Sequence, residues 1–328
     1  MRGMKRDFET FCSASLLKIA AAAVLLTGCI ATSSVAQQAG QKTFSSPDEA
    51  VGALMTAAQK NDLAALLEIL GPEAKQIVSS GDETEDNQTR ADIVKRYEQM
   101  HRLRKEPDGS TTLYIGAENW PLPIPLRNKG GSWYFDTAAG KEEILFRRIG
   151  RNEMSAMRVC QELVTAQKEY YAAHRNEYAR KIFSDAGTQN GLYWKAGEGE
   201  PQSPIGPLVA SAVAEGYAPV GGTAPSTPYR GYYFHTLTRQ GAGAAGGAKS
   251  YMLNGQMSRG FAFVAYPAQY RSSGVMTFIV AEDGVVYSKD LGKLTAVLAK
   301  SMKEYNPDSS WKKEENPEEK TAGEQKPN

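Results

Sequence analysis

The chain has 328 residues, of which 41% are hydrophobic, and a formal net charge of +1. At roughly 100–200 residues per domain, that length has room for two domains, each able to bury a core. Near-neutral, mixed charge leaves no electrostatic footprint for nucleic acid or an anionic lipid surface.

The chain begins with a basic, polar stretch carrying Arg2, Lys5, Arg6 and Lys18, followed by the apolar run Ile19-Ala-Ala-Ala-Ala-Val-Leu-Leu26. That run is shorter than the ~20 apolar residues a membrane-spanning helix needs. Basic start, short apolar core and small residues after it make a secretory signal. Two cleavage sites compete. Leu26-Thr27-Gly28-Cys29 has the form of a lipobox, in which Cys29 is acylated and becomes the new N-terminus, so that the signal is 1–28. Ser34-Val35-Ala36 has the form of an ordinary signal-peptidase site, with a cut between Ala36 and Gln37 and a signal of 1–36. The expected location is therefore the periplasm, or a lipid anchor in the cell envelope, on the outer membrane if lipidated. Any membrane contact would be through that anchor alone. Of Cys12, Cys29 and Cys160, only Cys160 falls in the mature fold, so no internal disulfide is expected there.

Residues 44–147 read as a first α+β domain. Ser46-Pro47-Asp48-Glu49 is a helix start with a cap, a first-turn proline and a capping-box glutamate. Val51, Leu54 and Ala58 follow at helical spacing. Asn61-Asp62 restarts a helix that Gly71-Pro72 stops, and a third helix is expected over 89–103. The period then changes to β over 111–115, 122–126 and 133–135, with Asn128-Lys129-Gly130-Gly131 as a hairpin signal. Helices followed by an antiparallel meander are the order of cone-shaped, nuclear-transport-factor-like domains, an analogy of fold that carries no function.

Residues 148–311 read as a second α+β domain. Its spine is a long helix over 142–173, polar in its first half through Arg147, Arg148 and Arg151 and apolar along Ala156, Val159, Cys160, Leu163, Ala166 and Tyr170. Residues 185–228 are rich in glycine and proline and read as loop. Strands are expected over 229–237, 250–253, 261–266, 275–280 and 285–288, with Asp283-Gly284 turning the last pair. A short helix near 294–302 follows, and 312–328 has the composition of a disordered tail.

Few residues promise chemistry. Gly241-Ala-Gly243-Ala-Ala-Gly246 has the letters of a dinucleotide fingerprint, but it leads into a strand and not a helix, and no acidic residue follows ~20 positions on, so it reads as a flexible loop. His101, His174 and His235 lack metal-ligand spacing, and no metal or cofactor is implied. Cys160 on an apolar helix stripe reads as an inert thiol. Asp82-Glu83-Thr84-Glu85-Asp86 lacks the order of a calcium loop and reads as a solvated connection. Binding candidates are aromatic: Trp120 in Trp120-Pro-Leu-Pro-Ile-Pro125, and Tyr229, Tyr232 and Tyr233 beside His235. No catalytic set emerges. A triad through His235 assembled across the fold stays open, with no G-x-S-x-G elbow to favour it.

Asp136-Thr-Ala-Ala-Gly-Lys-Glu-Glu-Ile144, Arg148-Ile-Gly-Arg-Asn-Glu153, Gly191-Leu-Tyr-Trp194, Ser203-Pro-Ile-Gly-Pro-Leu208, Pro228-Tyr-Arg-Gly-Tyr-Tyr-Phe234 and Gly274-Val-Met-Thr-Phe-Ile-Val280 make the chain resemble the bacterial exported family catalogued as domain of unknown function 2950, over about 44–313. The resemblance implies a signal peptide and an envelope location, and no activity. A weaker resemblance lies within it. Asn152-Glu153, Ala166-Gln167, Tyr178-Ala179, Gly231-Tyr-Tyr-Phe234, Phe263-Val-Ala265 and Asp283-Gly-Val-Val286 are similar to the globular heads of type IV pilins and pseudopilins, which pack a long helix on an antiparallel sheet. Pilins keep an apolar N-terminal helix half for filament assembly. Arg147, Arg148 and Arg151 occupy that stretch here, so the likeness implies a pilin-like fold without a filament. The expectation is an envelope protein that binds another envelope protein or polymer without catalysis. A periplasmic hydrolase with an inter-domain site, or a pilus or secretion accessory protein, is the alternative.

Overall fold

A computed structural model of the chain describes residues 38–217 and 227–315. The expected signal, including Cys29, Ala36 and Gln37, lies outside the described residues, as does most of the expected tail.

Side-chain caps set the first helices. Ser46 accepts the Glu49 amide at 3.1 Å and opens α1 (Pro47–Gln59), while Glu49 reaches back to the Ser45 amide and hydroxyl at 2.9 and 2.6 Å. Asp62 caps α2 (Leu63–Leu70), and Gly71 at φ +87° ends it in a conformation that suits glycine. A short α3 (Lys75–Val78) leads to α4 (Glu83–Gln99), capped by Asp82. The third helix thus starts earlier than expected and stops before 101–105, which is strand β1 (His101–Lys105). A turn at Asp108-Gly109 returns the chain as β2 (Thr111–Ile115), and Leu103 pairs opposite Leu113.

β3 (Trp120–Pro121), β4 (Leu126–Lys129) and β5 (Ser132–Phe135) complete an antiparallel sheet of order β1-β2-β4-β5, with β3 also on β2. The strand expected over 122–126 begins only at Leu126, because Pro123 and Pro125 cannot donate to a ladder. Leu113, Ile115, Leu126 and Phe135 from the sheet meet Val51, Leu54, Leu66 and Ile69 from the helices in a first hydrophobic core.

Asp136 caps α5 (Thr137–Ala173), a single 37-residue helix, about 55 Å long at 1.5 Å per residue. It starts five residues before the expected 142. The boundary expected between 147 and 148 falls inside it. Ile144 and Leu145 pack on the first core, and Ala156, Val159, Cys160, Leu163 and Tyr170 enter a second. Beyond it, β6 (Lys181–Phe183) and β7 (Gly191–Tyr193) pair in parallel, and α6 (Gly206–Ala214) follows with Pro207 in its first turn. The reading of 185–228 as loop is corrected on this point: Gly191 opens a strand, and Gly206 and Pro207 open a helix. The loop reading missed that first-turn proline favours a helix start.

The second sheet is antiparallel, in the order β17-β15-β14-β13-β8, from β8 (Tyr232–Leu237), β13 (Ala262–Pro267), β14 (Met276–Ala281), β15 (Val286–Asp290) and β17 (Lys312–Lys313). β17 places the first residues of the expected tail on a sheet edge. Short strands β9 (Arg239–Gln240), β10 (Lys249–Ser250) and β16 (Glu304–Tyr305) make a third sheet, and β11 (Met252–Leu253) pairs with β12 (Gln256–Met257). Every residue of β13 is buried, as a central strand covered on both faces requires. α5 lies against β13 and β14, and α7 (Thr295–Ser301) against β13. The fold is α+β, a long helix packed on an antiparallel sheet beside helices on a meander. Gly241 to Gly246 form the turn between β9 and β10, held by an Asn306 side chain that accepts the Gly243 amide at 2.7 Å.

Two glycines of α5 separate packing from propensity. A Cβ at Gly140 would sit 2.7 Å from the Pro123 carbonyl carbon, whereas one at Gly150 would meet nothing within 4 Å. Urea unfolding of Gly140→Ala should show destabilisation of about 1–3 kcal/mol, and Gly150→Ala a gain of about 0.5–1 kcal/mol.

Candidate functional site

The acidic string 82–86 is where the two halves meet. The Asp82 carboxylate caps α4 through the Glu85 amide at 3.1 Å, and its Oδ2 also accepts the Tyr217 hydroxyl at 2.9 Å and the Gly231 amide at 2.8 Å. Asn152 of α5 donates from one amide group to Glu85 and to the Ser273 carbonyl, both at 3.1 Å. Its neighbour Glu153 accepts the Val275 and Met276 amides at 2.9 and 3.0 Å. Arg148 donates to the Gln76 and Ile77 carbonyls at 2.9 and 2.5 Å, and the Ser272 hydroxyl reaches Gln76 and Ser79. Asp86 accepts the Ser80 amide at 2.8 Å. The string Arg148-Ile-Gly-Arg-Asn-Glu153 is therefore a clamp between the two cores, which belong to one compact unit.

The expectation of a solvated loop at 82–86 is corrected: Asp82, Glu85 and Asp86 are buried. The carboxylates are tolerated there because amides, a hydroxyl and guanidinium groups satisfy them. Burial pushes the Asp82 and Glu85 carboxyls upward, opposed at Asp82 by the Gly231 and Glu85 amides and at Glu85 by Arg151. Burial and the Asp82 charge push the Tyr217 hydroxyl up, so it stays a donor.

Beside this clamp opens a groove of about 960 Å³. α4 supplies Gln88, Asp92 and Arg96, α5 supplies Arg147 and Arg151, and Glu215, Tyr217 and Arg230 close the far side. Arg230 is held by Glu215 through two bonds of 2.6 and 3.1 Å. Arg147 pairs with Glu143 at 2.6 Å and lies 5.7 Å from the centre of the Trp120 ring. Arg151 reaches Glu85 at 3.4 Å. Thr89, Ile93, Trp120, Arg147 and Arg151 line both this groove and an adjoining cavity of about 200 Å³ inside the first core. An apolar cleft of about 90 Å³, which shares Tyr217 with the groove, lies between α5 and α6, against Phe183, Tyr229 and Phe234.

The structure disperses the residues expected to bind. Trp120 stands at the groove. Tyr229 lines the apolar cleft and packs edge-on to Tyr217. Tyr232 is fully buried and donates to the Met276 carbonyl at 2.9 Å, which makes it a core residue with no face for a ligand. Tyr233 packs against Tyr266 with the rings tilted by 35° and their centres 5.5 Å apart. His235 has Nε2 at 2.9 Å from the Met302 carbonyl, burial pushes its pKa down, and it lines none of these cavities. His101 and His174 each lie 3.8 Å from a tyrosine ring one turn back, with Nδ1 on that tyrosine's carbonyl. The Cys160 thiol is fully buried and pushed up to about 12 by that burial.

Arg147, Arg151, Tyr217 and Arg230 escaped the sequence reading as site residues. The four-residue spacing of Arg147 and Arg151 was visible, but it marks one helix face without saying what that face meets. Among the described residues no group of three or more histidine, cysteine, aspartate or glutamate residues could hold a metal ion, and no helix is long and apolar enough to cross a membrane.

A family model described as "Protein of unknown function (DUF2950)" matches residues 41–314. No curated protein and no solved structure matches the chain.

Glu85 gives the clamp a pH signature. Its carboxyl binds a proton more tightly folded than unfolded, so the associated stability is present in acid and is lost as pH rises above the ordinary value of 4.5. Urea midpoints from pH 4.5 to 7 should show wild type losing stability relative to Glu85→Gln as pH increases. A gap that is flat or that widens in favour of wild type contradicts this.

Proposed function

The chain belongs to the DUF2950 family, and we propose that it is an exported cell-envelope protein that works by binding another envelope component, a protein or polymer, through the groove between α4, α5 and the Tyr217–Arg230 side. The family description carries no activity, so the reading rests on the site.

The observation that carries it is the groove itself. It is large, open and charged, it continues into an apolar cavity, and its walls are fixed by the buried clamp. Ligand sites of this kind combine apolar lining with a few convergent polar groups. The histidine and cysteine candidates do not reach the groove: His235 sits elsewhere on a backbone carbonyl, and Cys160 is sealed in the second core. Arg147, Arg151 and Arg230 are donors without a proton to give at neutral pH, suited to holding an anion or a polar partner. The export part of the proposal is supported by the basic start, the short apolar run and the small residues at 34–36.

Two experiments test it. Cells grown with a fatty-acid label should yield labelled wild type and unlabelled Cys29→Ala. An unlabelled wild type whose mature N-terminus is Gln37 would assign the cut to Ala36 instead. A photo-crosslinking residue at exposed Gln88 in the groove should capture one dominant envelope adduct in cells, while the same residue at exposed Lys300 on α7 should not. Equal capture at both positions, or none at Gln88, would overturn the groove as the binding site.

A further inference from the structure

The cavity behind the groove has a chemistry of its own. Its inner wall is mostly aliphatic, with Leu54, Met55, Leu66, Ile93, Leu122 and Ile144 among its residues. Protein cores leave few voids larger than a water molecule, whose share of liquid volume is about 30 Å³. A space of about 200 Å³ in the first core is several times that size. An apolar wall offers water no partners, so the space suits an apolar group.

Its charged wall has one dominant sign. Among the described residues, four arginines, Arg90, Arg147, Arg148 and Arg151, line the cavity, against one carboxylate, Asp86. Arg148 spends its donors on the Gln76 and Ile77 carbonyls, and Arg90 on the Val78 carbonyl and the Asn61 and Asn87 side chains, so both are tied to neutral acceptors. Asp86 and Glu85 offset part of the Arg148 charge from nearby. At the mouth, Arg147 and Arg151 stand one turn apart on α5 with their side chains 46% and 62% exposed. Among the described residues each pairs with one carboxylate, Glu143 and Glu85 respectively, and a guanidinium carries five N–H donors, more than one carboxylate takes up.

We propose that this cavity and its mouth bind a single-tailed anion: an alkyl chain in the cavity, ending in a carboxylate or phosphate held between Arg147 and Arg151. Trp120, which lines the cavity and lies under Arg147, flanks the point where tail becomes head. The inference rests on the groove being a binding site, and it names the class of small molecule that the site takes.

Calorimetric titration of the processed, delipidated protein with decanoate, decyl phosphate and decyltrimethylammonium tests it. At least one of the two anions should bind one to one and about tenfold or more tighter than the cation, and the ratio between the anions identifies the head group. Arg147→Ala/Arg151→Ala should weaken the anions about tenfold, the scale of one to two lost charge-assisted bonds, and should not weaken the cation, whose head the arginines repel. Ile144→Trp should fill the cavity and remove binding of every tail, with thermal melts confirming that both variants are folded. The wild-type preference needs no variant and stands as evidence even if one fails to fold. A cation that binds as tightly as the anions, with Ile144→Trp abolishing both, overturns the anion inference and leaves the binding site intact. Binding of no tail at all overturns the inference, while capture at Gln88 separately decides the groove.

Discussion

Neither half of the molecule can bury α5 alone. Its first half offers Ile144 and Leu145 to the helices and meander, and its second half offers a continuous apolar stripe to the antiparallel sheet. Between these lies a stretch with too little apolar surface to belong to either core, and the chain fills it with Arg148, Asn152 and Glu153. Their hydrogen bonds run to segments 72, 121 and 122 residues away along the chain. A long helix shared by two cores has to be locked in rotation as well as in position, and directional bonds do this where apolar contacts, which are non-directional, cannot.

The lock requires charge to be buried, and that requirement shapes the surrounding structure. Asp82 serves at once as the cap of α4 and as the acceptor for Tyr217 and Gly231. Removing one partner from such a network leaves a desolvated group with no replacement, which costs more than the bond is worth when made. The end of α3 at 76–80 and the segments at 215–217, 230–231 and 268–275, which are mostly turn and bend, are held near one another by these bonds.

The groove follows from the same arrangement. Because α5 turns Arg148 and Asn152 inward to the clamp, Arg147 and Arg151 are carried to the neighbouring face, over the opening left between α4 and the meander. Trp120 reaches that opening because proline-interrupted backbone leaves β3 only two residues long, paired at the end of β2. A rigid wall of arginines beside an apolar recess is thus a by-product of joining the two cores, available for a ligand without a dedicated domain.

Much of the architecture was legible in the residues. Ser46-Pro47, Asp62, Gly71 and Asp283-Gly284 punctuate elements through contacts within four residues of themselves, and the β run at 111–115 and the aliphatic run Val275 to Val280 need no distant partner to be read. The errors fell where a local pattern had two outcomes. Asp82 to Asp86 has the composition of a solvated turn and of a capped helix start, and the choice was made by Gly231, 149 residues further on. Tyr232 and Tyr233 are adjacent and chemically alike, yet strand alternation buries the first and leaves the second partly exposed. The sequence by itself determined the elements, their caps and the α+β class, because those depend on neighbours along the chain. Which charges are buried, which arginines face an opening and which aromatic ring is free were decided by the tertiary structure, because burial is a property of partners that only folding brings within hydrogen-bonding distance.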